Sequence, residues 1–251
     1  MKLSINNFRD VSGYVNKDGK VMKKNRIFRG ASLHNLTDEE AEYLEKELHI
    51  RYVFDYRDHK EAETKPDVVS KGTYYERISA LKVGNPRFEG FDFGELLSNN
   101  MSKENMQFMI EYLQDGYMHM PFKNEAYQKL FECLLKNDGN VYYHCSAGKD
   151  RTGVATFLIM IALGISEEEA IREYLLSNQY LESFVQGFYK EKQIPIEYRK
   201  YCDVLLYVCE DNIQLTIEKI KERYSDYDSF LEAEYELTKE KREQLVSIYC
   251  E

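Results

Sequence analysis

The segment His144-Cys145-Ser146-Ala147-Gly148-Lys149-Asp150-Arg151-Thr152-Gly153 constrains the chain more than any other. It sits between the β-prone run Val141-Tyr142-Tyr143 and an almost wholly apolar stretch ending at Leu163. A buried strand that turns within a few residues into a buried helix predicts an α/β fold: a central, mostly parallel sheet flanked by helices. The turn itself has a chemical consequence. Backbone N–H groups at a helix N-terminus lack intrahelical partners and lie at the positive end of the helix dipole, so they form a ready anion site. Small residues at Ser146, Ala147 and Gly148 let the backbone wrap an oxyanion closely. A Walker nucleotide loop is excluded, because Gly-x-x-x-x-Gly-Lys-Ser/Thr is absent.

A cysteine at the head of such a loop is expected to ionise readily and act as a nucleophile. Arg151 can return to the same anion, since its planar fork matches two phosphate oxygens and the charge of an in-line phosphoryl transfer. Thr152 offers a hydroxyl near the sulfur, and His144 is expected to buttress the loop rather than act as a base. The plainer alternative makes Cys145 a small buried hydrophobe and Gly148 to Thr152 a charged turn. It gives no reason for Cys and Arg to flank five residues at a strand-to-helix junction.

The remaining pattern is that of one domain over residues 1–251, without repeats or linkers. Asn16 to Lys20 reads as the turn of a hairpin joining 13–15 to 21–28. Thr37 and Glu40 form a capping box ahead of Ala41, Tyr43, Leu44 and Leu48. Arg51 to Asp55 is a short buried strand. Residues 83–122 look like an insertion enclosing a helix with Met106, Met109, Ile110 and Leu113 on one face, more in keeping with core than with a lid. A helix over Glu125 to Lys136 stops at Asn137-Asp138-Gly139. Gly153 to Leu163 is the buried helix, closed by Gly164 and followed by a capping box at Ser166 and Glu169. The last third is helical.

Bulk properties narrow the partners. A formal net charge of −10 argues against nucleic acid and against sustained docking on anionic lipid, so any anion is held by a local site. Five cysteines, at 133, 145, 202, 209 and 250, show neither disulfide nor metal spacing, which suggests a reducing compartment. Those other than Cys145 fall in helical patterns and read as packing residues. The N-terminus lacks an apolar signal stretch, and the longest apolar run, 156–165, is about half the ~20 residues of a membrane span. The expected location is cytoplasmic, without stable membrane insertion.

With these residues in view, the segment His-Cys-x-x-Gly-x-x-Arg-Thr resembles the signature of protein-tyrosine phosphatases. Its Gly148-Lys149-Asp150-Arg151 variant is similar to a bacterial tyrosine-phosphatase-like family of broad specificity that includes phosphoinositide phosphatases. Asn7-Phe8-Arg9-Asp10 with Gly13-Tyr14, Phe28-Arg29-Gly30-Ala31-Ser32, and Asp55-Tyr56-Arg57 with Glu61 resemble further landmarks, although Ser12 stands where that family usually has glycine. The resemblance implies a phosphotyrosine-phosphatase-like fold and hydrolysis of phosphotyrosine, with phosphoserine and phosphothreonine as further substrates. It also implies a phosphocysteine intermediate, a phosphate ion held by Ser146, Ala147, Gly148, Lys149 and Arg151, and neither metal nor cofactor. It points to Asp150 as general acid, ahead of Asp55 at its strand end and Asp92 in the insertion. Lys149 matches a position associated with additional phosphates. Arg57 and Glu61 are expected to form a buttressing ion pair, with Arg29 supporting the loop. Other readings are a phosphoinositide or inositol-phosphate phosphatase, a non-catalytic phosphate-binding module, and a sulfur-transfer enzyme.

Overall fold

The computed structural model describes residues 3–88 and 103–251. Among them, β1 (Arg9–Asp10), β2 (Ile27–Gly30), β3 (Ile50–Asp55), β4 (Tyr74–Arg77) and β5 (Asn140–His144) make one sheet in the order β1-β2-β5-β3-β4. Only β1 pairs antiparallel; β2, β5, β3 and β4 run parallel, as expected of an α/β sheet with both faces covered. The helices are α1 (Asp38–Lys46), α2 (His59–Thr64), α3 (Lys103–His119), α4 (Glu125–Lys136), α5 (Asp150–Ala162), α6 (Glu167–Leu175), α7 (Ser177–Glu191), α8 (Ile196–Leu206), α9 (Glu210–Arg223), α10 (Tyr227–Tyr235) and α11 (Lys239–Tyr249).

Strand β5 organises both cores. Val141 and Tyr143 face the larger one, with α4, α5 and the C-terminal helices, while Tyr142 faces a smaller one with Phe28, Leu44 and Val53. Phe157, Leu158, Ile159 and Met160 of α5 are all at most 1% exposed, and each contributes about 1.5–3 kcal/mol by burial. That packing fixes the helix whose first turn carries Arg151. At the other end, the sheet registers Gly30 and Asp55 beside His144. The segments leaving β2, β5 and β3 therefore emerge side by side, which is where α/β sheets bind ligands.

Several local expectations stand as read. Thr37 and Glu40 close a full capping box on α1, and α4 ends at Asn137 with φ +54°. The turn at 16–20 joins backbone that pairs Val15 with Val21, and the Asn16 side chain accepts from the Asp18 and Lys20 amides. Others need correction. The buried helix begins at Asp150, not Gly153, because the loop tightens directly into the first turn. Ser166 caps α6, but Glu169 turns to Arg172 instead of closing the box. Strand β2 runs on to Gly30, past the expected end at Phe28, and pairs antiparallel with β1 on one side and parallel with β5 on the other. In the insertion, Met106 and Met109 are buried while Ile110 and Leu113 are half-buried, so the helix packs as core. Asp92 lies outside the described residues. Cys133, Cys202 and Cys250 are buried, but Cys209 is exposed as the residue before α9.

Candidate active site

Residues Cys145 to Lys149 join β5 to α5, and the loop's carbonyls decide where its amides point. The His144 oxygen accepts the Tyr56 N–H at 2.9 Å and the Ser146 oxygen the Ser32 N–H at 3.2 Å. The Ala147 oxygen accepts Asn7 Nδ2 at 3.1 Å; the Gly148 oxygen accepts both Asn7 Nδ2 and Arg29 Nη2 at 2.8 Å. His144 Nδ1 lies 3.1 Å from the Cys145 oxygen. In a trans peptide the N–H points opposite its C=O, so tying these carbonyls outward turns the amides from Cys145 to Lys149 toward the concave side. Gly148 is required there twice over. Its φ is +67°, and a Cβ would stand 2.1 Å from the Gly30 oxygen.

Cys145 is 2% exposed. Burial alone would push its thiol up, but the Arg151 guanidinium, followed by the Thr152 hydroxyl and N–H, outweighs that and holds it below its ordinary value. Arg151 is itself oriented. Its fork donates to Glu61 Oε2 at 2.5 Å and Oε1 at 2.9 Å, and Tyr127 Oη donates to the Arg151 carbonyl at 2.8 Å. Glu61 Oε1 also accepts Ser146 Oγ at 2.6 Å, and Oε2 accepts the Asp58 N–H at 3.0 Å. Burial opposes ionisation of Glu61, yet Arg151 keeps its carboxyl well below the usual range. The expected Arg57–Glu61 pair is therefore absent, because Glu61, on the first turn of α2, is spent on Arg151.

Two buried ion clusters flank the loop. On the β1–β2 side, Glu173 of α6 accepts Arg9 Nε at 2.7 Å and Arg29 Nη1 at 2.6 Å, which leaves one net positive charge under the cradle. On the β3 side, Arg57 donates Nε to Asp55 Oδ1 at 2.9 Å and Nη2 to Asp55 Oδ2 at 2.8 Å, and pairs with Asp67 at 2.8 Å. Tyr75 Oη donates to Asp55 Oδ2 at 2.7 Å. Asp67 Oδ2 lies 3.0 Å from His144 Nε2. Burial disfavours charge on His144, but Asp67 and then Asp55 raise its pKa above the ordinary value. Donor atoms of Asp55, Asp67 and His144 lie within 4.8 Å of one another. The Arg57 guanidinium is already the cation paired with both carboxylates.

Lys149 is buried, 6% exposed. Its Nζ lies 2.9 Å from Asp150 Oδ2 and 3.0 Å from Oδ1, and donates to the Tyr207 carbonyl at 3.4 Å. Asp150 Oδ1 also accepts Tyr117 Oη at 2.7 Å. The structure thus brings Cys145 at the head of the loop together with Asp150, Arg151 and Thr152 on the first turn of α5, with Ser146, Ala147, Gly148 and Lys149 as the wall between them. It places His144, Asp55, Arg57 and Arg29 behind that wall.

Asp67, Tyr117 and Glu173 carry no motif in the sequence, Asn7 stands there only within a family landmark, and Glu61 was expected in a different pairing. A signal for Glu173 does exist. Ala170, Glu173, Tyr174 and Ser177 follow helical spacing and are all buried, so a lone glutamate on an apolar face calls for a buried cation.

A mostly parallel sheet carrying a Cys-to-Arg loop at its strand ends is the architecture of cysteine-loop phosphatases. A profile of the tyrosine phosphatase family matches residues 3–251, and the chain belongs to that family. It is 26% identical over 183 residues to a provisionally named tyrosine-protein phosphatase of Cupriavidus necator, covering 73% of this chain and 64% of the relative. It is 28% identical over 156 residues to a tyrosine-protein phosphatase of Nostoc commune, covering 61% and 49%. It is 30% identical over 188 residues to the triple specificity protein phosphatase PtpB of Mycobacterium tuberculosis, covering 68% and 66%. The matched region spans between about half and two thirds of the length of these curated relatives. No helix among the described residues is long and apolar enough to cross a membrane.

Proposed function

We propose that this chain hydrolyses phosphate monoesters, phosphotyrosine in proteins first among them, as one catalytic domain working in a reducing compartment such as the cytoplasm. The observation that carries this reading is the outward tethering of the loop carbonyls by Asn7, Arg29 and Ser32. It turns a run of consecutive amides toward one anion site beside Cys145, whose thiol is held below its ordinary pKa.

In the first step the Cys145 thiolate attacks phosphorus in line; the S–P bond forms and the P–O ester bond breaks. Asp150 passes its proton to the departing oxygen, giving the free alcohol. The amides of Ser146, Ala147, Gly148 and Lys149 hold the equatorial oxygens with the Arg151 fork, which Glu61 orients. In the second step water attacks the phosphocysteine, Asp150 takes the water proton, and orthophosphate and the thiolate are released. The buried clusters behind the loop hold it in shape.

Phosphoinositides are the second reading. Lys149 would be their natural extra contact, but it is buried against Asp150 and Tyr207, which favours the phosphotyrosine reading. The test is initial-rate phosphate release from a phosphotyrosine peptide in excess EDTA, comparing the native chain with Cys145→Ser. Turnover that disappears in the variant is the expected result. Equal turnover in both, or turnover only with inositol phosphates, would set the reading aside.

A further inference from the structure

The carboxylate assigned above as general acid is held by a residue that no motif contains. Tyr117, near the end of α3, is 0% exposed, and its hydroxyl donates to Asp150 Oδ1 at 2.7 Å. Behind it the Tyr174 hydroxyl of α6, also buried, lies 2.7 Å from the Tyr117 oxygen. Thr216 Oγ1 of α9 donates to the Tyr117 carbonyl at 2.7 Å, so the backbone carrying the ring is pinned as well. A phenol has one proton. With the Tyr117 proton committed to Asp150, the Tyr174 hydroxyl must donate to Tyr117, and the chain runs from Tyr174 through Tyr117 to Asp150.

That chain has a preferred direction. Were Asp150 protonated on Oδ1, Tyr117 would have to donate back to Tyr174. The Tyr174 proton would then need an acceptor in a buried position, and the described residues offer it no partner other than Tyr117. A buried donor without an acceptor is costly, so Oδ1 stays an acceptor when the carboxyl is neutral. We propose that Tyr117 is a positioning residue: by donating to Asp150 Oδ1 it fixes the carboxyl group and leaves Oδ2, beside the Lys149 ammonium at 2.9 Å, to carry the transferable proton. This rests on the reading of Asp150 as the acid.

The charged and titratable groups facing Asp150 are Lys149 and Cys145 of the loop, Arg151 of α5, Tyr117 of α3, Tyr127 of α4 and Tyr174 of α6. Among these, Tyr117 and Lys149 donate directly to the carboxylate.

The test compares kcat for phenyl phosphate, whose leaving oxygen needs a proton, with 4-nitrophenyl phosphate, whose leaving group departs unaided. Asp150→Asn is expected to lower the phenyl-to-nitrophenyl ratio on the order of 100-fold, and Tyr117→Phe, which keeps the ring, roughly 10-fold. A ratio unchanged in both variants removes Asp150 as the acid and the proposal with it. A fall in Asp150→Asn alone, with Tyr117→Phe within about 2-fold of native, overturns the positioning role and leaves the acid in place. Should Tyr117→Phe fail to fold by circular dichroism, Tyr174→Phe decides: a ratio about 3-fold lower supports the directed chain, and an unchanged one overturns it.

Discussion

The two buried clusters behind the loop use the same residue types for different ends. Arg9, Arg29 and Glu173 carry two cations and one anion, and Arg29 reaches the loop directly at the Gly148 carbonyl. Arg57, Asp55 and Asp67 carry one cation and two anions, which balance to zero when His144 is protonated, and they hold the end of β5 instead of the loop's far half. The first cluster thus lends positive potential to an anion site, whereas the second supplies only position. Their pH responses differ in consequence. Glu173 and Asp55 are both held below their ordinary values, so each cluster is fully stabilising above the ordinary carboxylate range and weakens as pH falls through the lower, folded value. His144 is raised above 6.5. Its contribution is complete below that pH and is lost as pH rises through the folded value, so only the second cluster also weakens in alkali.

The sharpest way to break this contrast is Glu173→Ala, which strands two buried guanidiniums. It should cost about 3–5 kcal/mol in urea denaturation and flatten the acid limb of the stability profile. Gly148→Ala should cost about 1–3 kcal/mol for the positive φ alone, plus the clash with Gly30, and abolish vanadate or phosphate binding measured by calorimetry. Asp67→Asn leaves Arg57 its second partner, so a loss of about 1–3 kcal/mol is expected; its signature is a flattened alkaline limb, which Glu173→Ala should not produce. Glu61→Gln acts from outside both clusters. It should lower kcat/KM roughly 10- to 100-fold by releasing Arg151, while the melting temperature changes little because Glu61 is partly exposed. If Glu61→Gln instead unfolds the chain as Glu173→Ala does, the distinction between orienting and supporting residues fails.

The sequence made the local features visible and hid the distant ones. The strand, the loop and the apolar helix lie within one continuous segment, so composition and spacing suffice to read them. Asn7 and Glu173 reach their partners across 141 and 164 residues of chain, and no local pattern encodes such pairings; Arg29, 119 residues from Gly148, was expected under the loop only through the family resemblance. Strand β4, Tyr-Tyr-Glu-Arg at the sheet edge, is too short and too exposed to alternate clearly. Only the end of β2 was disguised, because Arg29, a charged residue, is wholly buried there. The Arg57–Glu61 expectation failed for a related reason: both lie near the same helix start, yet the pairing is decided by Asp67 and Arg151, which sequence proximity does not bring in.

The most direct measurement is rapid acid quenching of native protein turning over 4-nitrophenyl phosphate, followed by peptide mass spectrometry. The added mass of one phosphoryl group on the peptide containing Cys145, absent from Cys145→Ser, is the expected result. A phosphoryl group on another residue, or steady turnover with no covalent adduct, would contradict the cysteine cradle as the centre of this protein's chemistry.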